Sequence, residues 1–242
     1  MAGFFHQNRK LDFVYGGTDH SRGTPAEYSN LDGDGIWDIW CSSSSAVDYG
    51  DGQGGFSGPF HYPAGSTDGV RDAVAADFNG DGRTDIAVLT QAGTLEILLN
   101  EGSRVFTLVH TYPLPSFTGT MPVVKLVAED LNGDHKYDLV VIYGGASASF
   151  TPYFATSGGA FTQGPTSSIG ATLDFVNAAG RDVNRDGYDD IAVTTSTGVK
   201  LMLGTASGSF VSGTTLSGPA RAVLEGAWSS AISAAMERWT LR

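Results

Sequence analysis

Cysteine is nearly absent. Cys41 stands alone among 242 residues, so no disulfide can form within the chain. Its place in an apolar segment predicts a buried thiol. Basic residues are scarce as well: 14 Lys and Arg oppose 26 Asp and Glu, for a formal charge of −12 and a pI of about 4.6. A surface of that sign repels phosphate backbones and anionic headgroups, which excludes nucleic acid and anionic membrane as direct partners. No apolar run is long enough to span a bilayer as a helix, so membrane insertion is not expected. Met1–Lys10 lacks the apolar core of a secretory signal. The signatures of common catalysis are missing too. There is no Gly-x-Ser-x-Gly elbow and no Gly-rich phosphate loop, and His6, His20, His61, His110 and His135 show no metal-ligand spacing. The chain is therefore not expected to be an enzyme. A pair of carboxylates brought together in space is the one catalytic arrangement that spacing leaves open.

What the chain has in abundance is a short acidic loop, four times over. The loops read Asn30-Leu-Asp32-Gly-Asp34-Gly-Ile36-Trp37-Asp38, Asp77-Phe-Asn79-Gly-Asp81-Gly-Arg83-Thr-Asp85, Asp130-Leu-Asn132-Gly-Asp134-His-Lys136-Tyr137-Asp138 and Asp182-Val-Asn184-Arg-Asp186-Gly-Tyr188-Asp-Asp190. Their starts lie 47, 53 and 52 residues apart. A fixed period of this size means one structural unit used repeatedly. Alternate positions 1, 3, 5 and 9 are Asp or Asn throughout, and position 7 offers the carbonyl of Ile36, Arg83, Lys136 or Tyr188. Hard oxygen donors at that spacing suit calcium. Position 6 is Gly in three loops, where a sharp turn favours positive φ. His135 takes that place in the third, and His is among the residues that tolerate it. Each loop crowds three carboxylates, a repulsion that a cation would relieve. About four calcium ions are the expectation.

These are not helix–loop–helix sites. Position 12 should then be Glu, but it is Cys41, Val88, Val141 and Val193. The residues after position 9, Ile86–Leu89, Leu139–Ile142 and Ile191–Thr194, are apolar, largely β-branched runs and read as buried strands. A strand precedes each loop, as in Val70–Ala76, Val123–Ala128 and Leu173–Ala179. A third follows, clearest in Thr94–Leu99 and Val199–Leu203. A Gly-containing turn and a Phe (Phe56, Phe106, Phe161, Phe210) open a fourth. Four short strands per unit of about fifty residues is the pattern of a propeller blade. The fold expected is all-β: a β-propeller of four to five four-stranded blades with a short C-terminal helix, arranged as a small closed ring, an open arc, or a larger ring completed by other chains.

The Asp-x-Asn-x-Asp-Gly-x-x-Asp motif and the strand pattern around it resemble the FG-GAP/VCBS repeats of integrin α-subunit propellers and of a fungal lectin family with integrin-like propellers. The resemblance covers roughly residues 24–226. It implies calcium in the loop joining the first two strands of a blade. It also implies extracellular adhesion, glycan binding, or service as an accessory module on a larger enzyme.

The two ends depart from the repeat. Residues 1–23 read as an irregular extension or partial blade; His6, Asn8, Lys10 and Asp12 align with Asn132, Asp134, Lys136 and Asp138, with too few carboxylates to hold metal. Blades occupy 24–218. Residues 219–242 begin like a fifth unit, but Val223, Ala227, Ala231, Ala235 and Trp239 form a helical stripe after Pro219. Codons permitted for Ala227–Arg242, read two bases later, can spell Leu-Glu-Gln-Arg-Asp-Leu-Ser-Gly-Asp-Gly-Ala-Met-Asp. That would be a fifth acidic loop beside Ile232, and the coding DNA decides between this and a native helix.

Aromatic rings are the candidates for binding. Trp37 and Tyr137 occupy loop position 8, expected to face solvent. Tyr49, Tyr62, Tyr112, Tyr143 and Tyr153 are further candidates, while Trp40 is expected to pack. The reading is a carbohydrate-binding module, with glycans or a glycoprotein as partner, at or outside the cell surface. An integrin-like protein-adhesion module and a fragment of a polysaccharide-processing enzyme or toxin are the alternatives. Chains are expected to associate where terminal blades expose strand edges.

Overall fold

The computed structural model describes residues 26–41, 46–61, 69–114, 124–144, 148–171, 173, 178–195 and 198–217. The N-terminal extension, the C-terminal helix, the shifted-frame loop and Tyr62 lie outside these residues, as does the side chain of Cys41. All the regular structure described is β. Among the described residues no helix is long and apolar enough to cross a membrane.

Four antiparallel sheets follow one another along the chain, each built from consecutive strands. Blade 1 comprises β1 (Ala26–Ser29), β2 (Asp38–Cys41), β3 (Ala46–Gly50) and β4 (Phe56–His61). Blade 2 comprises β5 (Val70–Ala76), β6 (Asp85–Thr90), β7 (Thr94–Gly102) and β8 (Val105–Pro113). Blade 3 comprises β9 (Val124–Glu129), β10 (Asp138–Tyr143), β11 (Ser149–Ala155) and β12 (Phe161–Gln163), with β13 (Ser167–Ser168) also pairing β11. Blade 4 comprises β14 (Ala178–Arg181), β15 (Asp190–Thr195), β16 (Gly198–Gly204) and β17 (Phe210–Ser217). The four phenylalanines expected to open fourth strands do so at or next to the first residue. This is the propeller-blade architecture that the period implied.

Burial explains the strand composition. Every residue of β6 and β10 is buried, because a second strand has neighbours on both edges and side chains packed on both faces. Alternation would leave polar groups on a dry face, so these strands read as continuous apolar runs. Outer strands differ: β4 is exposed along its whole length, and it carries Gly58 and Pro59, which blunt an edge.

The chain divides into two compact units, Met1–Ser116 with Ser157–Ala160, and Phe117–Thr156 with Phe161–Arg242. In the first, Leu31, Trp40, Val47 and Tyr49 of blade 1 pack with Val70, Ala73, Ala75, Ile86, Val88, Leu98 and Phe106 of blade 2. The small alanines of β5 leave room for the indole and phenol. In the second, Val140, Ile142 and Phe150 of blade 3 meet Ile191, Val193, Met202 and Phe210 of blade 4. The rings of Phe150 and Phe210 contact edge to face, centroids 4.7 Å apart. Deleting a large side chain here, such as Phe150→Ala, would cost about 3–5 kcal/mol.

Candidate metal centres

Each acidic loop joins the first strand of its blade to the second, and the four share one hydrogen-bonding scheme. The position-7 N–H donates to the position-5 carboxylate: Ile36 to Asp34 (2.7 Å), Arg83 to Asp81 (2.8 Å), Lys136 to Asp134 (3.0 Å) and Tyr188 to Asp186 (3.0 Å). The position-5 N–H donates in turn to the position-3 side chain, over 3.2 Å to Asp32 and 2.9 Å to Asn79, Asn132 and Asn184. These successive side-chain turns are what short Asp and Asn side chains do well. They hold the loop in a tight curl with its oxygens on one line of positions.

The curl needs left-handed backbone twice per loop. Position 6 has φ of 85° at Gly35, 87° at Gly82, 66° at His135 and 92° at Gly187, so His135 tolerates that conformation as expected. Position 4 has it too: Gly33, Gly80, Gly133 and, at 64°, Arg185. Sequence reading passed over position 4, although Gly in three of the four loops was the available signal.

In loops 2, 3 and 4 the position-1 aspartate caps the curl with both oxygens. Asp77 Oδ1 accepts from Gly80 (2.7 Å) and Asp81 (3.1 Å), and its Oδ2 from Gly82 (2.8 Å). Asp130 does the same for Gly133, Asp134 and His135, and Asp182 for Arg185, Asp186 and Gly187. Asn30 has one acceptor oxygen, which takes Gly33 N–H at 3.0 Å.

The ninth residue has a duty that sequence reasoning missed. Asp38, Asp85 and Asp138 are wholly buried and Asp190 nearly so. One oxygen of each accepts the N–H of position 2: Leu31 (2.6 Å), Phe78 (2.9 Å), Leu131 (3.1 Å) and Val183 (2.9 Å). The other reaches across the sheet to an N–H near the end of the third strand: Gly50 (3.0 Å), Asn100 (2.8 Å), Ala155 (2.7 Å) and Gly204 (2.9 Å). The carboxylate thus ties the loop to the blade. A carboxylate offers about four lone-pair sites, so these bonds leave room for a further partner. A carboxylate that opens an apolar strand must find donors, which was the signal available.

Burial raises all four of these carboxyls. It pushes Asp138 up to about 7, against the Ala155 N–H and with the charge of Asp134 adding to the rise. Asp85 is pushed to about 6 by burial, with Asp81 and Asp77 contributing. Asp38 and Asp190 are raised for the same first reason. Among the described residues no three Asp, Glu, His or Cys side chains already converge as a metal cluster. The donor set nonetheless fits a hard cation: carboxylates and amides at alternate positions, exposed at position 5, with the loop's own charges adding to the rise of the ninth carboxyl.

Loops 3 and 4 touch. Asp189 N–H donates to Asp130 O, and Asp130 N–H to Asp189 Oδ2, both at 3.2 Å. Glu129 is pushed up to about 8 by burial and then by the charge of Asp189. A Cβ at Gly180 would collide with the Glu129 side chain, so glycine there makes the approach possible. In the first unit, Asn100 Nδ2 of blade 2 donates to Leu31 O in loop 1 (2.5 Å).

The aromatic candidates separate sharply. Trp37 is 44% exposed, as position 8 predicted. Tyr137 is half-buried. Tyr49, Tyr143 and Tyr153 are buried, which corrects their candidacy: their rings fill the blade core. Tyr112 is half-buried beside His110, ring centroids 6.1 Å apart. Trp40 is buried, as expected.

Four-stranded blades with an acidic loop between their first two strands define a β-propeller built from repeats. Three overlapping matches to the FG-GAP-like repeat cover residues 30–88, 77–141 and 130–193, and the chain belongs to that family. A solved structure of an Agrocybe aegerita lectin, described as recognising non-reducing terminal N-acetylglucosamine, is similar over 80% of this chain and 51% of its own, with 20% identity and a TM-score of 0.56. AofleA from Arthrobotrys oligospora is 14% identical over 81% of this chain and 51% of its own, with a TM-score of 0.38. The chain spans about half the length of these structures. No curated protein matches it.

Proposed function

We propose that this chain is a calcium-stabilised propeller module that binds carbohydrate and has no catalytic activity of its own. The observation that carries the reading is Trp37. It is a large ring left exposed at the edge of an acidic loop, when the other tryptophan described is buried. An exposed indole offers a flat apolar face to the C–H face of a sugar, and indole burial is a large energetic contribution. The similarity in fold to a lectin that recognises N-acetylglucosamine supports the same direction. Calcium in this reading orders the loops and leaves sugar contact to side chains. Loops of this kind are filled at the millimolar calcium found outside cells, so an extracellular or surface setting follows. Exposed outer strands make association of chains part of the reading.

A glycan array carrying terminal N-acetylglucosamine among other sugars tests it, run in millimolar calcium and again after chelation. The expected result is calcium-dependent binding to one coherent set of glycans, lost in Trp37→Ala. A folded, calcium-loaded chain that ignores every glycan would overturn it and favour protein adhesion. Turnover of a polysaccharide would overturn the non-enzymatic part.

A further inference from the structure

Loop 1 differs from its three siblings in a way that points to a different counter-ion. We propose that Arg104 takes the place of a metal at loop 1, so that the chain holds calcium in loops 2, 3 and 4 and joins blade 1 to blade 2 through its own guanidinium. This rests on the calcium reading of the other three loops.

The donor set comes first. Loop 1 exchanges the residues at positions 1 and 3, with Asn30 and Asp32 where the others have Asp and Asn. Asn30 spends its single acceptor oxygen on Gly33 N–H, so the two-oxygen cap of loops 2–4 is lost. The carboxylate moved to Asp32 is already taken. Its Oδ1 accepts from Asp34 N–H, and its Oδ2 receives both Nε (3.0 Å) and Nη2 (2.8 Å) of Arg104. The Asp32 side chain is 8% exposed beneath this pair.

Arg104 is held where it is. Its Cζ lies 4.1 Å from the ring centroid of buried Tyr49 and 5.8 Å from that of Phe60. A guanidinium stacked on rings while paired to a carboxylate uses both of arginine's recognition modes at once. The backbone contributes as well. Blades 1, 3 and 4 connect third to fourth strand by residues 51–55, 156–160 and 205–209, but blade 2 turns on Ser103 and Arg104 alone. Both have left-handed φ, 53° and 65°. Two-residue hairpin turns of this kind favour Asn and Gly. Two non-glycine residues kept there are a local strain that needs a reason, and presenting Arg104 to Asp32 supplies one.

Loops 2 and 3 have basic partners of a different kind. Arg83 and Lys136 come from position 7 of their own loops and pair with position 5. Their side chains are 45% and 52% exposed. Arg83 Nε also donates to Asn100 O (2.6 Å), and both cations stand more open to solvent than Arg104, whose side chain is 36% exposed.

The test counts ions per folded chain by equilibrium dialysis with atomic absorption. Wild type is expected to hold three calcium ions. Asp81→Asn, in loop 2, is expected to lower the count by one, and Asp32→Asn to leave it unchanged. Arg104→Gln is expected to admit one more, visible as terbium luminescence sensitised through Trp37 and absent in wild type. A wild-type count of four that falls to three in Asp32→Asn overturns the proposal even if Arg104→Gln fails to fold. So does folded Arg104→Gln that takes up no extra ion. Chains that bind no calcium at all defeat the calcium reading itself, and with it the contrast. An Asp81→Asn loss keeps that reading standing whichever way loop 1 falls.

Discussion

At its inner end each acidic loop keeps one aspartate out of water; at its outer end another of the same residue type stands in it. Asp138 is wholly buried, while Asp134, four residues earlier, is exposed. The difference teaches that one motif does two jobs. The ninth position ties loop to sheet through buried N–H groups, and the fifth shapes the curl that we propose as an ion site. The two functions come apart on mutation. Asp138→Ala orphans the N–H groups of Leu131 and Ala155. Each buried orphan costs about 1–3 kcal/mol, so a loss of about 2–6 kcal/mol is expected in urea unfolding, with calcium or with chelator. Asp134→Ala should leave the chelated protein near wild type, since its pair with Lys136 is exposed and weak. It should lose the stabilisation that calcium adds, about 2.7 kcal/mol at one hundred times Kd. If the two variants lose equal stability in chelator, the division between inner and outer aspartates is wrong.

Acid separates the two ends next, with a smaller effect. In the metal-free protein Asp138 and Asp85 are pushed up to about 7 and about 6, chiefly by burial. Their unfolded-state values lie near 4. Between those limits the native state binds more protons than the unfolded one, so stability falls as pH rises. Chelated protein should therefore melt a few degrees higher at pH 5.5 than at pH 8. Calcium should reverse the slope, because its ligands must be deprotonated. A chelated melting temperature that climbs steadily from pH 5.5 to pH 8 would show that these carboxyls are not desolvated as the fold implies.

How much of this was legible follows from range. The loops, the β-branched strands after them and the phenylalanines of the fourth strands are local patterns with a fixed period. They all fall where residue order places them. His135 at positive φ was readable for the same reason. What sequence could not supply is contact across the sheet or between blades. One of the two N–H groups that donate to the ninth aspartate lies on another strand, 12 residues away in blade 1 and 17 in blade 3. Arg104 meets Asp32 across 72 residues. Tyr49, Tyr143 and Tyr153 were readable as aromatic, but which face of a strand meets a neighbouring blade is decided by packing.

The smallest effect tests whether the outer end is held by backbone conformation, as its exposure suggests. Arg185 occupies position 4 at φ 64°, where loops 1, 2 and 3 place glycine. Left-handed backbone costs a residue with a Cβ about 1–2 kcal/mol, whereas glycine enters it freely but loses more entropy on folding, about 0.5–1 kcal/mol. The difference favours Arg185→Gly by roughly 0.5–1 kcal/mol, and the N–H that Asp182 accepts at 2.6 Å is retained. The converse change, Gly80→Ala, meets open space around its Cβ, so it should cost about the strain alone. Gly133→Ala should cost more than either, because its Cβ would stand 2.8 Å from Gly187 O in the adjoining loop. Urea midpoints of the three variants in chelator give the ranking. If Gly80→Ala is as damaging as Gly133→Ala, close approach between loops 3 and 4 contributes nothing, and backbone strain is the whole constraint on position 4.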